Sequence, residues 1–321
     1  MIQFTMTGVT AAVDVSVVMG VYNGSAEISA TLDSLFAQEG VAFEIVVVDD
    51  GSTDDTSGVL ARYSDSRIRV IRQENQGLTR ALVRGCAEAN GKYIARQDAG
   101  DLSKPERLVE ESSLLDASDD VVLVSCWTEF VGPCDEHLFY AKGNGLADRP
   151  LSILDPSRPH GLIDGPTSHP SVMFRRDAYR RTGGYRGAFY YAQDWDLWYR
   201  LGAIGKFQMV PKTLYVTRVT PTAISSSARN AQLALAELSE RAMRWRLRGE
   251  ADDAVVELAA KIGPSRGRVT RVGRARSLYF IGEALRRNHD PRARRYLVEA
   301  LGTWPLLPKA WARLAQSFLT T

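Results

Sequence analysis

The run Phe43-Glu44-Ile45-Val46-Val47-Val48 stops abruptly in Asp49-Asp50-Gly51, and few folds can use such a stretch. The β-branched residues Ile45 to Val48 suit a strand buried on both faces, as in parallel sheets covered by helices. Asp49-Asp50-Gly51 is a turn signal. Ser52, Thr53 or Asp54 can cap a helix directly after it. Two carboxylates therefore stand at the carboxyl end of a core strand, the edge where open α/β sheets bind ligands. By themselves the two fit a ligand site and a pair of turn hydrogen bonds equally well.

The flanking sequence repeats the pattern. Val15 to Val21 reads as a first strand, ended by Tyr22-Asn23-Gly24. Ala26 to Gln38 has helical spacing, with Ile28, Leu32, Leu35 and Phe36 on one face. A helix near Asp54–Tyr63, a strand at Ile68–Ile71 and a helix over Gly77–Asn90 follow, the last stopped by Gly91. Tyr93-Ile94-Ala95 is a fourth strand, ending at Gln97-Asp98-Ala99-Gly100-Asp101. Pro105 suits the first turn of the next helix, and Val121 to Val124 is a fifth strand. Strand and helix alternate, which predicts an α/β fold with a mostly parallel, Rossmann-like sheet flanked by helices. Parallel strands put the polar turns after strands one, two and four along one edge.

Composition sets the remaining limits. The chain has 321 residues, 45% of them hydrophobic and 24% charged, enough for one large α/β domain and a smaller unit. No apolar run approaches the ~20 residues that span a bilayer. Met1 to Asp14 lacks the order of a signal peptide, so residues 1–13 are expected to be a frayed leader. Cys86, Cys126 and Cys134 show no CxxC spacing and read as reduced thiols of a cytosolic protein. Charge is uneven: residues 1–240 hold 23 Lys and Arg against 31 Asp and Glu, whereas residues 241–321 hold 17 against 7. An acidic body carries a basic, mostly arginine tail.

Four segments now stand in order: Val15 to Gly24, Val47-Val48-Asp49-Asp50-Gly51-Ser52-Thr53-Asp54-Asp55-Thr56, Asn75 to Ala81, and Tyr93 to Asp101. Together they closely resemble family 2 glycosyltransferases of the GT-A fold, over about residues 13–218. The resemblance implies a catalytic domain over 14–222, with a nucleotide-sugar half at 14–125 and an acceptor half at 126–222. It gives Asp50 the task of accepting the ring N–H of the donor base, chemistry that suits a fixed carboxylate. Tyr22 would pack on that base, and the backbone of Gly20 and Val21 would pass beside it. Arg80 falls in the segment that faces the nucleotide, where a guanidinium can offset diphosphate charge; an exposed helix arginine is the equal alternative.

In the family the diphosphate is held by a divalent cation, Mg2+ or Mn2+, on an Asp-x-Asp motif. This chain keeps Asp98 and Asp101 but has Gly100 where relatives carry a further carboxylate ligand. Three explanations compete: Asp98 and Asp101 hold the metal with water and phosphate, basic groups replace it, or activity is lost. Thr220 likewise stands where many relatives have a metal-side His.

Gly132 to Pro170 is rich in Gly, Pro, Asp and His, with one helical stretch near Leu146–Leu154, and reads as a lid or loop region shaping the acceptor pocket. His160 and His169 lie here; the resemblance makes His169 the better acceptor candidate. Gly183-Gly184-Tyr185 stops a short helix, and Gln193-Asp194-Trp195-Asp196-Leu197-Trp198 follows. Asp194 corresponds to the family's general base, which must take the proton of the attacking hydroxyl in an in-line, inverting displacement. An N-cap is the alternative role for it. Trp195 and Trp198 fit core packing or stacking on an acceptor sugar. Lys206–Val210 and Leu214–Val216 read as closing strands around Pro211.

From Ser225 strand signals vanish. Helices are expected over Ala228–Arg248, Asp252–Ile262, Arg274–Arg287, Pro291–Leu301 and Pro308–Leu319, an all-α extension over 223–321. Its arginines and Trp304 and Trp311 stripes fit a subdomain folded on the body, or a dock on an anionic membrane surface through residues 241–321. No nucleic-acid motif accompanies them. The expectation is an inverting transferase moving a sugar from a UDP- or dTDP-type donor to a surface-glycan or lipid-linked acceptor. It would be cytoplasmic, with peripheral attachment to the inner membrane face if the tail docks. A non-catalytic nucleotide-sugar-binding or scaffold protein is the alternative.

Overall fold

Ile45, Val46, Val47 and Val48 are all fully buried, and alternate residues of this run enter different cores. The computed structural model describes residues 13–143, 166–221, 229–264 and 270–318. Its first half runs β1 (Val15–Val21), α1 (Ile28–Phe36), β2 (Phe43–Asp49), α2 (Thr56–Leu60), β3 (Ile68–Arg72), α3 (Leu78–Ala87) and β4 (Tyr93–Arg96). Then come β5 (Leu102–Ser103), α4 (Arg107–Ala117), β6 (Val121–Val131), β7 (His137–Ala141), β8 (Val172–Arg175), α5 (Arg176–Arg181), α6 (Gln193–Leu201) and β9 (Lys206–Arg218). The remainder is helical: α7 (Arg229–Leu247), α8 (Asp253–Ala260), α9 (Arg271–Arg287), α10 (Ala293–Thr303) and α11 (Pro308–Gln316).

The sheet order is β3-β2-β1-β4-β8-β6-β9-β5, with β7 added to β6. Strands β3, β2, β1 and β4 are mutually parallel, as the βαβ alternation requires. Beyond β4 the sheet is mixed, because β8 runs antiparallel to both β4 and β6 while β6 and β9 are parallel. Ile45 and Val47 pack with Ile28, Leu32 and Leu35 of α1 and Leu108 and Leu115 of α4. Val46, one residue out of phase, packs with Leu82 of α3 and Leu197 of α6 on the opposite face.

Some expectations change. The two closing strands are one strand, β9, and the pairing jumps from Cys126↔Val210 to Trp127↔Thr213. Pro211 and Lys212 are thereby bulged out of the ladder, which suits a residue without an N–H. Helix α4 starts at Arg107, after Pro105. The segment read as irregular after Gly132 contains β7. The predicted helix at Leu146–Leu154 and His160 lie outside the described residues.

The tail folds onto the body. Met243 of α7 joins the α6 side of the core. Leu278, Ile281 and Leu285 of α9 and Ala293, Tyr296 and Ala300 of α10 enclose Leu138 of β7. The Tyr296 hydroxyl donates to Glu136 Oε1 at 2.6 Å, and Asn288 Nδ2 donates to the Leu138 carbonyl at 2.7 Å. Among the described residues no helix is long and apolar enough to cross a membrane.

A fully buried arginine, Arg107, joins the sheet to the later chain. Its Nη1 donates to Ser103 Oγ (3.0 Å) and Gln97 Oε1 (3.2 Å), and its Nη2 to the carbonyls of Arg96 (2.9 Å) and Pro170 (3.0 Å). Glu111, one turn on, is 3.2 Å from Nε and equally buried; burial pushes its carboxyl up to about 7 against the pull of Arg107. Arg107→Met should cost about 3–5 kcal/mol in denaturant unfolding, because it strands Glu111 and several carbonyls. Adding Glu111→Leu should recover part of that loss.

Candidate active site

The carboxyl ends of β2, β1 and β4 lie side by side. The two aspartates after β2 divide the roles left open by the sequence. Asp49 makes the turn: it accepts the Ser52 N–H at 2.9 Å and the Ser57 hydroxyl at 2.6 Å. Asp50 reaches across to the start of α3. Its Oδ1 accepts Gln73 Nε2 (2.7 Å) and the Gln76 N–H (2.9 Å), and its Oδ2 accepts the Gly77 N–H (2.7 Å). A carboxylate has about four acceptor positions, so roughly one remains for a ligand.

Asn23, at φ 53°, brackets the two loops: its N–H donates to Ser52 Oγ (3.0 Å) and its Oδ1 accepts the Thr53 N–H (2.7 Å). Tyr22 is thereby held at the rim, 51% exposed, while Val21 is buried. At Gly20 helix α3 approaches the strand closely. A Cβ there would lie 3.1 Å from both Ala81 Cβ and Leu78 Cδ1. Arg80 is exposed and its Cζ would stand 3.5 Å from a Cβ at Gly187. Beside it the Thr79 hydroxyl donates to the Phe189 carbonyl at 2.9 Å. The segment before α6 therefore lies across the first turn of α3.

At the end of β4, Asp98 is partly exposed and its Oδ1 accepts from Arg96 Nη2. Asp101 is buried, with Oδ1 accepting the Arg218 N–H (3.0 Å) and Oδ2 the Thr217 hydroxyl (3.2 Å). Burial, and then the charge of Asp98, push its carboxyl up to about 7. Gly100 between them has φ 98°. Its N–H donates to Thr31 Oγ1 (2.9 Å), and that hydroxyl donates to the Asp101 carbonyl (2.9 Å). The missing carboxylate thus corresponds to a backbone conformation that side chains rarely adopt.

Among the described residues no three His, Cys, Asp or Glu side chains converge to hold a metal ion. Asp98 offers one free oxygen, and Asp101 stands behind it with both oxygens engaged to β9. That donor set fits a hard cation whose remaining ligands are phosphate and water, the habit of Mg2+. The mutual repulsion of Asp98 and Asp101 is what a cation would relieve.

Ala192, in the left-handed region at φ 56°, caps α6, so Asp194 is the second helical residue and not the N-cap. Asp194 is partly exposed, yet burial pushes its carboxyl up to about 6. The N–H groups of Trp195 and Asp194 and the charge of Arg96 pull it down, and Asp98 raises it further. Asp98, Asp194 and Arg96 therefore feel one another directly. Asp196, on the buried side of α6, anchors the helix: it takes Arg186 Nε (2.9 Å) and Arg200 Nη2 (2.7 Å) on Oδ2.

His169 belongs to the wall of this region. Its Nε2 hydrogen-bonds the Tyr185 hydroxyl at 2.9 Å, and its ring packs edge-on to Tyr185 and Trp198. Burial, and then Arg96, hold its pKa well below 6.5, so the imidazole is neutral. Trp195 packs on Trp198 (5.4 Å between rings) and on Tyr199 (6.0 Å), the core-packing role. Sequence reasoning missed Arg96, Arg107, Asn23 and Thr31. Arg96 carried a signal: a charge in the strand Tyr93-Ile94-Ala95-Arg96 must find a partner, and Asp98 is two residues away.

Comparison with known proteins bears on the family and the fold. Residues 16–183, just over half of the chain, match the family model described as glycosyl transferase family 2. An uncharacterized glycosyltransferase of Rickettsia typhi is 28% identical over 219 residues, 67% of each chain. S. aureus TarS, crystallised in complex with UDP, superposes with a TM-score of 0.54 at 16% identity, covering 95% of this chain and 89% of that one. The mannosyltransferase PcManGT of Pyrobaculum calidifontis, in complex with GDP-Man and Mn2+, gives 0.54 at 19% identity, covering 97% and 86%. The chain shares their GT-A-type fold, and its own C-terminal region is helical.

The raised Asp194 carboxyl carries a stability signature. Its folded value, about 6, lies above the ordinary 3.8, so its contribution is full below about 3.8 and is lost as pH rises through about 6. Asp194→Asn should therefore melt close to the wild type near pH 4. It should gain on the order of 2 kcal/mol by pH 8.

Proposed function

The chain belongs to glycosyl transferase family 2, and on that premise we propose that it inverts the donor's anomeric centre while moving a sugar from a nucleoside-diphosphate sugar, UDP or dTDP type, to a hydroxyl of a surface-glycan or lipid-linked acceptor. The observation that carries this reading is Asp194, at about 6 and within electrostatic reach of Asp98. A base of that strength is ionised at neutral pH and still accepts a proton as the acceptor oxygen attacks. Asp98 lies at the diphosphate side, and a hydroxyl held at Asp194 would approach the anomeric carbon from the opposite face. Asp50 keeps an acceptor position for the ring N–H of uracil or thymine, and Tyr22 at the rim supplies a face for the base. Arg80, exposed beside the 187–190 segment, adds positive charge near the donor. A divalent cation, held by Asp98 with Asp101 behind it, would offset charge on the leaving diphosphate. Trp195 and His169 shape the acceptor wall from within the packing.

The basic tail supports a membrane role for the acceptor. Leu306, Trp311 and Phe318 are exposed there among arginines, a combination that suits an anionic lipid surface. Loss of sedimentation with anionic liposomes on Trp311→Ser and Phe318→Ser would support that docking; unchanged binding would end it.

The direct test is sugar transfer or donor hydrolysis across a panel of sugar nucleotides, with Mn2+ or chelator. Turnover should fall at least 1,000-fold in Asp194→Asn with UDP binding kept, and kcat/KM of the wild type should fall below pH 6. Full activity in chelator would remove the cation from this account. Absence of any turnover would leave a donor-binding protein.

A further inference from the structure

Arg96 is, with Arg107, among the largest fully buried side chains of the described residues, with no accessible surface. Burying a guanidinium costs several kcal/mol unless its partners compensate. Its partners are the carbonyls of Gln97 (2.6 Å) and Val18 (3.3 Å) and the Oδ1 of Asp98. Its Nε is buried with no hydrogen-bond partner. A core position that needed only packing would be filled at lower cost by an apolar side chain, as at Ile94 and Ala95, two and one residues earlier. The one carboxylate that Arg96 grips is not a core group but the partly exposed Asp98.

The surroundings of Arg96 belong to both halves of the cleft. Its charge lowers the carboxyl of Asp194 and the imidazole of His169, and Tyr185 and Tyr215 act on it in return. Arg96 acts on two carboxylates, Asp98 and Asp194, and Asp98 in turn raises Asp101. Asp98 Oδ2 has no hydrogen bond among the described residues. By holding Oδ1, Arg96 leaves a single oxygen of Asp98 oriented and free.

We propose that Arg96 is a positioning residue for the transfer reaction: its buried guanidinium fixes the rotamer of Asp98, so that one carboxylate, in place of the usual larger set interrupted at Gly100, suffices to hold the metal–diphosphate end of the donor. This rests on the donor-binding reading above. The orientation that neighbouring ligands would share is then supplied to Asp98 from below. Arg107 backs the arrangement, since its Nη2 holds the Arg96 carbonyl at 2.9 Å. Arg96 itself, without accessible surface, touches no substrate.

The test uses the full chain with Mn2+ and UDP as probes. Binding of Mn2+ in the presence of UDP is followed by electron paramagnetic resonance, and uridine binding is measured separately in chelator. Arg96→Lys keeps the charge but loses the planar fork. It should raise the Mn2+–UDP dissociation constant at least tenfold, lower kcat/KM in step, and leave uridine affinity within twofold. In an Asp98→Asn background the same change should add nothing, since the two residues act as a unit. Arg96→Met should act in the same direction; if it does not fold, the lysine variant decides. A lysine variant that binds Mn2+–UDP like the wild type overturns the proposal, and so does an effect that persists in full without Asp98. A wild-type protein that binds no UDP would instead bring down the donor-binding reading, and this proposal with it.

Discussion

Two buried guanidiniums, those of Arg96 and Arg107, hold the carboxyl end of β4 in place. Arg107 spends its donors on backbone carbonyls and polar side chains from β4, β5 and the turn before β8. Arg96 spends its own on β1, the β4 turn and Asp98. Neither is on the surface, so neither is weakened by water or salt as an exposed ion pair would be. Each instead turns the desolvation penalty of a charge into fixed geometry: the interior tolerates the cation because both terminal nitrogens of each guanidinium are held by hydrogen-bond acceptors. A loop of five residues carrying two aspartates, otherwise free to splay by mutual repulsion, is thereby held in one arrangement.

The second constraint is the seam between the halves. Thr79 and Gly77 at the start of α3 receive the segment 187–190, and at Gly77 a side chain would collide with the ring of Tyr190 at 2.3 Å. That contact sets where α6 begins, and so where Asp194 stands relative to Asp98. The same Gly77 donates its N–H to Asp50. Asp50 and the segment that leads into α6 thus meet at one helix turn. The arrangement has a thermodynamic consequence: Asp194 is kept where ionisation is unfavourable, and stability is given up there above about pH 6.

The first half of the fold was legible because its signals are local. β-branched runs, alternating helices and turn residues recur at short spacing, and β1 to β4 and the parallel order follow from them. Asp49 and Asp50 were legible as a pair, but not which one makes the turn; that depends on Gln73, Gln76 and Gly77, more than twenty residues away. The later strands were read less well. β7 lay hidden in a Gly- and Pro-rich stretch, and β9 was divided at Pro211 because a bulge that tolerates proline needs a partner strand to be recognised. His169 and Trp195 stand out in the sequence as polar and aromatic residues near a motif, yet their neighbours Tyr185, Trp198 and Tyr199 make them part of a packed wall.

By itself the sequence determined the residue types and their order: carboxylates after buried strands, a family resemblance that spans them, and a basic helical tail. Those depend on periodicity and on chemistry within a few residues, which a chain displays before it folds. Tertiary structure alone decided which carboxylates remain free, which are consumed by backbone N–H groups, and how strongly each holds its proton. Those properties arise from desolvation and from charges brought within a few ångströms by distant segments. No local pattern encodes the distance between Arg96 and Asp194, though the character of the site depends on it.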